Sequence, residues 1–419
     1  MPDKLSYKIQ FGDTYGVVNP AMLHAHLTLL RKFKMLEQSD KCFDARYLLR
    51  AQERYVLWLD LLRTQNFDQE VVPIPPLVPV NFIELLNNFY SLIKYEIWES
   101  NGSHIDPASE RIWTEKTKQP WVLNPNDSSD FKITCPWCKS NIHMQWEKYV
   151  KLMQTSDANE NCPICYAQHS IETLSAKRFI DDISAWNKDK SKLIGGTLID
   201  RKDGSYSEEL SIRRSQLLFT ANIIDVLTNC DRYEWVHITE QLNLQIKNVK
   251  EEIIQRVISA YSGIPLPFSI DLVSAVHRQR RFTEKIVKNK WIDRLEVQEN
   301  SITRYLKFLS LIKEKSNIFL VPTFDIDLCW HTHQLHASFY RSFTKKHIGR
   351  IINHDDTSPK ELLLINFEAT AQAWNKKYHE PYALYPHGEE PCGGESCQEN
   401  CQNCQQCRQD CDVEACYCD

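Results

Sequence analysis

Glycine is scarce in this chain, at 11 of 419 residues, while Phe, Trp and Tyr together make up 11%. That balance argues against a disordered polymer, at least up to the last thirty residues. Long apolar runs are missing too. No stretch reaches the roughly 18 apolar residues of a membrane helix, and the richest neighbourhood, "VVPIPPLVPVNFIELL", is broken by four prolines. The opening "MPDKLSYKIQFGD" has no basic stretch followed by an apolar one, so no secretory leader is expected. A reducing compartment, cytosol or nucleus, follows as the expectation. Cysteines there are better read as thiols or metal ligands than as disulfides.

A surplus of positive charge is also lacking. The net charge is -5, and residues 388–419 hold eight acidic residues and one arginine, or -7, which leaves the body near +2. Such a body gives no electrostatic case for bulk nucleic-acid binding. The densest basic run, "HRQRRFTEKIVKNK" (277–290), reads as the solvated face of a helix. Protein partners are the expected ones.

What is present is helical periodicity. Leu23, Leu27, Leu30 and Phe33 recur at helical spacing after Pro20, and Leu48, Ala51, Tyr55, Trp58 and Leu62 repeat the pattern. A third helix is expected over 80–98. Further helices are expected near 172–186, 209–230, 235–261, 269–291, 301–315, 325–346 and 359–379. Strand signals cluster around 120–170, and the turn-rich "SNGSHIDPASE" (100–110) marks a boundary.

The two halves resemble one another. Aligned on Val78-Pro79 and Val321-Pro322, "VPVNFIELLNNFYSL" lies over "VPTFDIDLCWHTHQL". Glu84 then matches Asp327, Asn88 matches His331, Tyr90 matches His333 and Leu92 matches Leu335. Either this is a duplication or two amphipathic helices coincide. In the first case the ionisable residues stand in one copy only, which hints at a specialised second half.

Cys135, Cys138, Cys162 and Cys165 form two Cys-x2-Cys pairs, "CPWC" and "CPIC", 23 residues apart. Each turn presents two thiolates to one side, and four thiolates close a tetrahedral shell. Zinc held there is expected to be structural, in a small zinc ribbon. His143 and His169 are then spare and read as surface or packing residues. In the tail, Cys392, Cys397, Cys401, Cys404, Cys407, Cys411, Cys416 and Cys418 stand among few apolar residues. The tail is expected to be disordered unless metallated or crosslinked. Its thiolate spacing suits Zn or Cu(I). Adventitious metal uptake and redox chemistry are the other two readings.

"DLCWHTHQLH" (327–336) is the remaining concentration of chemistry. In a strand, His331 and His333 would face one side. In a helix, two positions are about 200° apart and the rings diverge, whereas Asp327 and His331, four apart, share a face. The context is helical, so a site would use Asp327 and His331 with a third ligand from "INHDD", that is His354, Asp355 or Asp356. Two histidines and a carboxylate with open positions suit a metal-assisted hydrolase or an iron oxygenase. A buried Asp–His hydrogen bond pinning one helix needs no metal, and the sequence favours it.

These residues carry a resemblance. "FLVPTFDIDLCWHTHQL", "GRIINHDD" and "SIDLVSAVHRQRRF" look like the glycine-rich domain-containing protein-like family of fungi and plants. "HAHLTLLRKF" and the "CPWC…CPIC" pairs are similar to its fungal members. The resemblance implies a helical domain of unknown biochemical function. Plant relatives are linked to development and stress responses, and some fungal relatives are labelled dioxygenases. This chain departs from the pattern at "LLNNFYSL", where a Trp-His pair is expected, and at "EPYALYPHGEEPCGG", where many relatives carry a short Cys-rich segment.

The expected architecture is mostly α: an N-terminal helical part (1–99), a zinc-ribbon insert (100–170), a C-terminal helical domain (171–387) and a Cys-rich acidic tail (388–419). The expected function is that of a zinc-binding, non-enzymatic interaction or scaffold protein. The alternatives are a metal-dependent enzyme built on Asp327, His331 and residues 354–356, and a thiolate metal buffer acting through the tail.

Overall fold

A computed structural model of the chain describes residues 17–37, 44–65, 107–121, 130–198, 207–229, 232–245, 247, 249–288, 290–315, 319–352, 354 and 360–383. The expected third helix, the N-terminal copy of the repeat, Asp355, Asp356 and the Cys-rich tail lie outside these residues. Among the described residues stand fourteen α-helices and two small two-stranded sheets, so the protein is mostly helical.

Helix α1 (Pro20–Glu37) starts where Asn19 Oδ1 accepts the Met22 amide proton at 2.9 Å, with Pro20 in the first turn, where its missing N–H costs nothing. It buries Leu23, Leu27 and Leu30. Helix α2 (Ala45–Gln65) buries Tyr55 and Trp58, and α3 (Pro107–Thr117) buries Trp113. Arg54 of α2 is buried with its guanidinium 4.7 Å from the Trp113 ring. Its two terminal nitrogens donate to the carbonyls of Pro120 (2.8 Å) and Trp121 (2.6 Å), which satisfies a charge that would be costly if left unpaired.

A small β unit follows. Strands β1 (Asp130–Thr134) and β2 (Asn141–Gln145) pair antiparallel, then come α4 (Trp146–Gln154) and a short ladder of β3 (Glu160–Asn161) with β4 (Gln168–His169). Phe131, Met144, Trp146, Tyr149 and Leu152 form its small core, which also takes in Leu49 of α2.

Helix α5 (Ile171–Lys188) opens with reciprocal caps. Ser170 Oγ accepts from the Thr173 amide, and Thr173 Oγ1 accepts from the Ser170 amide. Helices α6 (Glu208–Leu218), α7 (Ala221–Thr228), α8 (Trp235–Asn243) and α9 (Glu251–Tyr261) share a core with it built on Phe179, Trp186, Phe219, Trp235 and Tyr261.

The remaining helices are α10 (Leu272–Lys288), α11 (Leu295–Glu314), α12 (Phe324–Gln334), α13 (Ala337–His347) and α14 (Lys360–Tyr378). Helix α11 packs along α12, and α1 touches α10, α11 and α12. The largest core therefore joins residues distant in sequence, with Leu23, Leu30 and Trp58 in one cluster with Tyr305, Phe308, Leu328 and Trp330. Each fully buried side chain of this size contributes about 1.5–3 kcal/mol.

Three segments expected as single helices are broken. The breaks fall at Phe219–Thr220, between Asn243 and Glu251, and at Leu335–His336. Phe219 and Leu335 are both buried at their breaks, so the chain turns while the apolar phase continues. No helix among the described residues is long and apolar enough to cross a membrane.

Candidate metal centres

The first centre lies in the β unit. Each Cys-x2-Cys pair sits in a tight turn. The Cys135 amide donates to Ser140 O (2.9 Å) and the Lys139 amide returns to Cys135 O (3.1 Å). The second turn repeats this with Cys162 to Ala167 O (2.8 Å) and Tyr166 to Cys162 O (3.0 Å). Lys139 (φ 61°) and Tyr166 (φ 62°) take matching left-handed positions, where an L side chain is strained unless the surroundings hold it. The two turns bring all four sulfurs within 4.8 Å of one another. Cys135 Sγ stands 3.7 Å from Cys165 Sγ, and Cys138 Sγ stands 3.8 Å from Cys162 Sγ. The arrangement can hold a metal ion. Burial pushes the Cys135 thiol up to about 12, while the hydroxyl and amide of Ser140 bring Cys138 down to about 6.

His143 is exposed, as expected. His169 is fully buried and does more than pack: its Nε2 lies 3.3 Å from Cys135 Sγ, and its ring stacks on Trp137 at 5.9 Å. Burial lowers its pKa, which favours the neutral ring beside the sulfur. The signal in the sequence was its position just after the second cysteine pair, on the strand that closes that turn.

The second centre lies on α12. The segment is a helix, with every side chain from Leu328 to Gln334 buried. His331 and His333 therefore diverge. His333 turns into the core, where its Nδ1 and Tyr305 Oη share a hydrogen bond at 2.8 Å. Burial depresses its pKa to about 3, with help from His336. Thr332 spends its proton on Leu328 O (2.7 Å) and accepts from His26 Nδ1 at 2.8 Å. Burial first, then the charges of His331 and His336, lower His26 to about 3.

Asp327 and His331 share the other face, and His354 reaches them from the segment after α13. His354 Nε2 lies 2.7 Å from Asp327 Oδ1 and 3.2 Å from His331 Nε2, and His331 Nε2 is 3.5 Å from the same carboxylate oxygen. The side chains keep 8% (His331), 11% (His354) and 17% (Asp327) of their surface exposed, so the cluster sits at the edge of the core. Burial works to raise the Asp327 carboxyl, but the facing imidazoles and the hydrogen bond from His354 hold it below the usual carboxylate range. Phe282 lies against His331 at 4.8 Å and Trp330 against His354 at 4.9 Å. Tyr340 fixes the approach of the third residue: its hydroxyl accepts from Trp330 Nε1 (2.9 Å) and donates to Ile352 O (2.8 Å), two residues before His354.

Residues 225–343 match the model of the glycine-rich domain-containing protein-like family, the family that the motifs in the sequence resemble. Two plant proteins are similar to this chain. Glycine-rich domain-containing protein 2 of Arabidopsis thaliana is 41% identical over 120 residues, covering 27% of this chain and 15% of that protein. Glycine-rich domain-containing protein 1 of the same plant is 34% identical over 160 residues, covering 36% and 19%. The matched segment thus spans less than a fifth of these curated relatives. No solved structure matches the chain. Asp327 and His331 fall inside the matched family segment, while His354 and the four-cysteine unit fall outside it.

Proposed function

We propose that this protein is a zinc-binding helical scaffold, whose four-cysteine unit takes one structural zinc and fixes a small ribbon between two helical cores. The observation that carries the reading is the sulfur geometry. A tetrahedral shell with Zn–S near 2.3 Å has edges of about 3.8 Å, and the facing sulfur pairs stand 3.7 and 3.8 Å apart. Four thiolates fill the shell and leave no position for a substrate, so the zinc acts on the fold. The unit reaches both cores. Phe131 and Tyr149 join Leu49 of α2 in one cluster, and Trp137 meets Tyr233 edge-on at 5.6 Å beside the other. The partners are other proteins, and the place of action is the cytosol or nucleus, where thiols stay reduced. The eight tail cysteines add capacity for Zn or Cu(I).

Elemental analysis of the purified, reduced protein tests the reading. About one zinc per chain is expected to survive removal of residues 388–419, with any excess lost. Cys138→Ser and Cys165→Ser are expected to lose that zinc. Retention of stoichiometric zinc by both variants, or loss of all metal on removing the tail, overturns the ribbon.

A further inference from the structure

We propose that Asp327, His331 and His354 form a second metal site, open on one side, for a divalent transition ion such as Fe²⁺ or Co²⁺. It is chemically separate from the four-cysteine unit and does not depend on it.

The argument starts from lone pairs. The three ligand atoms face one another at 2.7, 3.2 and 3.5 Å. Donors about 2.0–2.2 Å from a shared ion, at angles between octahedral and tetrahedral, stand roughly 2.8–3.6 Å apart. The separations of 3.2 and 3.5 Å fall in that range, and 2.7 Å lies just below it. With the His354 Nε2 proton given to Asp327, His331 Nε2 faces that proton across 3.2 Å and the same carboxylate oxygen across 3.5 Å. One cation in place of that proton accepts a lone pair from each of the three atoms at once.

The supports are those of a positioned site. Asp327 and His331 come from one face of α12, four residues apart, on a helix packed on its remaining sides. His354 arrives on a segment tied down by the Tyr340 hydroxyl. Phe282 and Trp330 wall the two rings and limit water. The partial exposure of all three side chains leaves the ion's outer positions to solvent or a small oxygen-donor ligand. Two imidazoles and one carboxylate with free positions suit a borderline ion, whereas the four thiolates suit a soft one.

Co²⁺ titration of the full-length, reduced, metal-stripped protein distinguishes the two centres. Cobalt bound to thiolates gives intense charge-transfer absorption, and cobalt bound to nitrogen and oxygen gives only weak visible bands. Wild type is expected to bind one equivalent of the weak-band class, besides thiolate-bound cobalt. Asp327→Asn, His331→Ala and His354→Gln are each expected to weaken that equivalent at least about tenfold, with the thiolate bands unchanged. Cys138→Ser is expected to lose one equivalent of the thiolate class and to keep the weak-band equivalent. Because His331 is the most enclosed of the three, the less buried His354→Gln, checked for native circular dichroism, carries the decision if His331→Ala misfolds. Equal weak-band uptake by wild type, Asp327→Asn and His354→Gln, or none in wild type, overturns the site. Neither outcome touches the ribbon, whose failure would appear only in the thiolate bands.

Discussion

Tyr340 is a single hydroxyl with two jobs. It accepts from the Trp330 indole and donates to the Ile352 carbonyl, and so holds both the wall and the third corner of the Asp327 cluster. Tyr340→Phe keeps the ring and removes both bonds, leaving a buried indole N–H and a carbonyl unmet. The expected cost is about 1–3 kcal/mol in urea unfolding. A weaker second metal equivalent is expected with it, because His354 loses its anchor. His26 gives the residue scale its pH dependence. Burial, then the charges of His331 and His336, hold it near 3 against an ordinary 6.5. Above pH 6.5 neither the folded nor the unfolded chain protonates it. Below 6.5 the unfolded chain takes a proton that the folded chain refuses, so stability falls as pH drops towards 3, by about 1 kcal/mol per pH unit for this group. Unfolding midpoints at pH 7.0 and 5.5 check this, and His26→Asn, which retains a donor towards Thr332, is expected to flatten the slope. An unchanged slope would mean the ring protonates in the folded protein.

At the scale of elements, the helices and the cysteine turns were legible because their causes are local. Cys135 and Cys138 need only their own turn to converge, and Asp327 and His331 need only one turn of helix. The interruptions were not legible. Phe219 and Leu335 continue the apolar phase of the helices they end, and periodicity does not distinguish a bend from a continuation when the same core receives both sides. His169 reads as spare in the sequence because its contact with Cys135 is a side-chain meeting of two separate turns, 34 residues apart, that spacing does not show. His354 is one of three candidates in the sequence, and its contacts with Asp327 and His331 are made by the fold; Asp355 and Asp356 lie outside the described residues. Gly196 offers a test of how closely elements approach. It takes φ +82°, and a Cβ there would stand 2.4 Å from the Arg256 carbonyl oxygen of α9, a backbone atom that cannot step aside. Gly196→Ala is therefore expected to destabilise the α5–α9 core by about 2–4 kcal/mol, read as a lower unfolding midpoint. A change below about 0.5 kcal/mol would show that the 189–198 connection relaxes freely.

On the scale of the whole molecule, the question is what a structural metal would do between two helical cores. The β unit is too small to hold itself together: two five-residue strands, a two-residue ladder and one nine-residue helix. A core of that size falls short of its own conformational entropy without a staple. Yet it is tied on two sides, to α2 through Leu49 and the 2.6 Å Arg46–Glu147 ion pair, and to the α5–α9 core through Trp137 and Tyr233. Losing a metal held there should therefore loosen a joint and leave the large helical core intact, because α11, α12 and α1 pack on one another without passing through the cysteines. Amide exchange makes the distinction. In Cys138→Ser, protection over residues 130–169 is expected to fall by at least about tenfold, which corresponds to roughly 1.4 kcal/mol of local stability, while protection in α11 and α12 stays within error of wild type. Equal loosening of α11 would place the metal's contribution in global stability and remove the joint from the description of this fold.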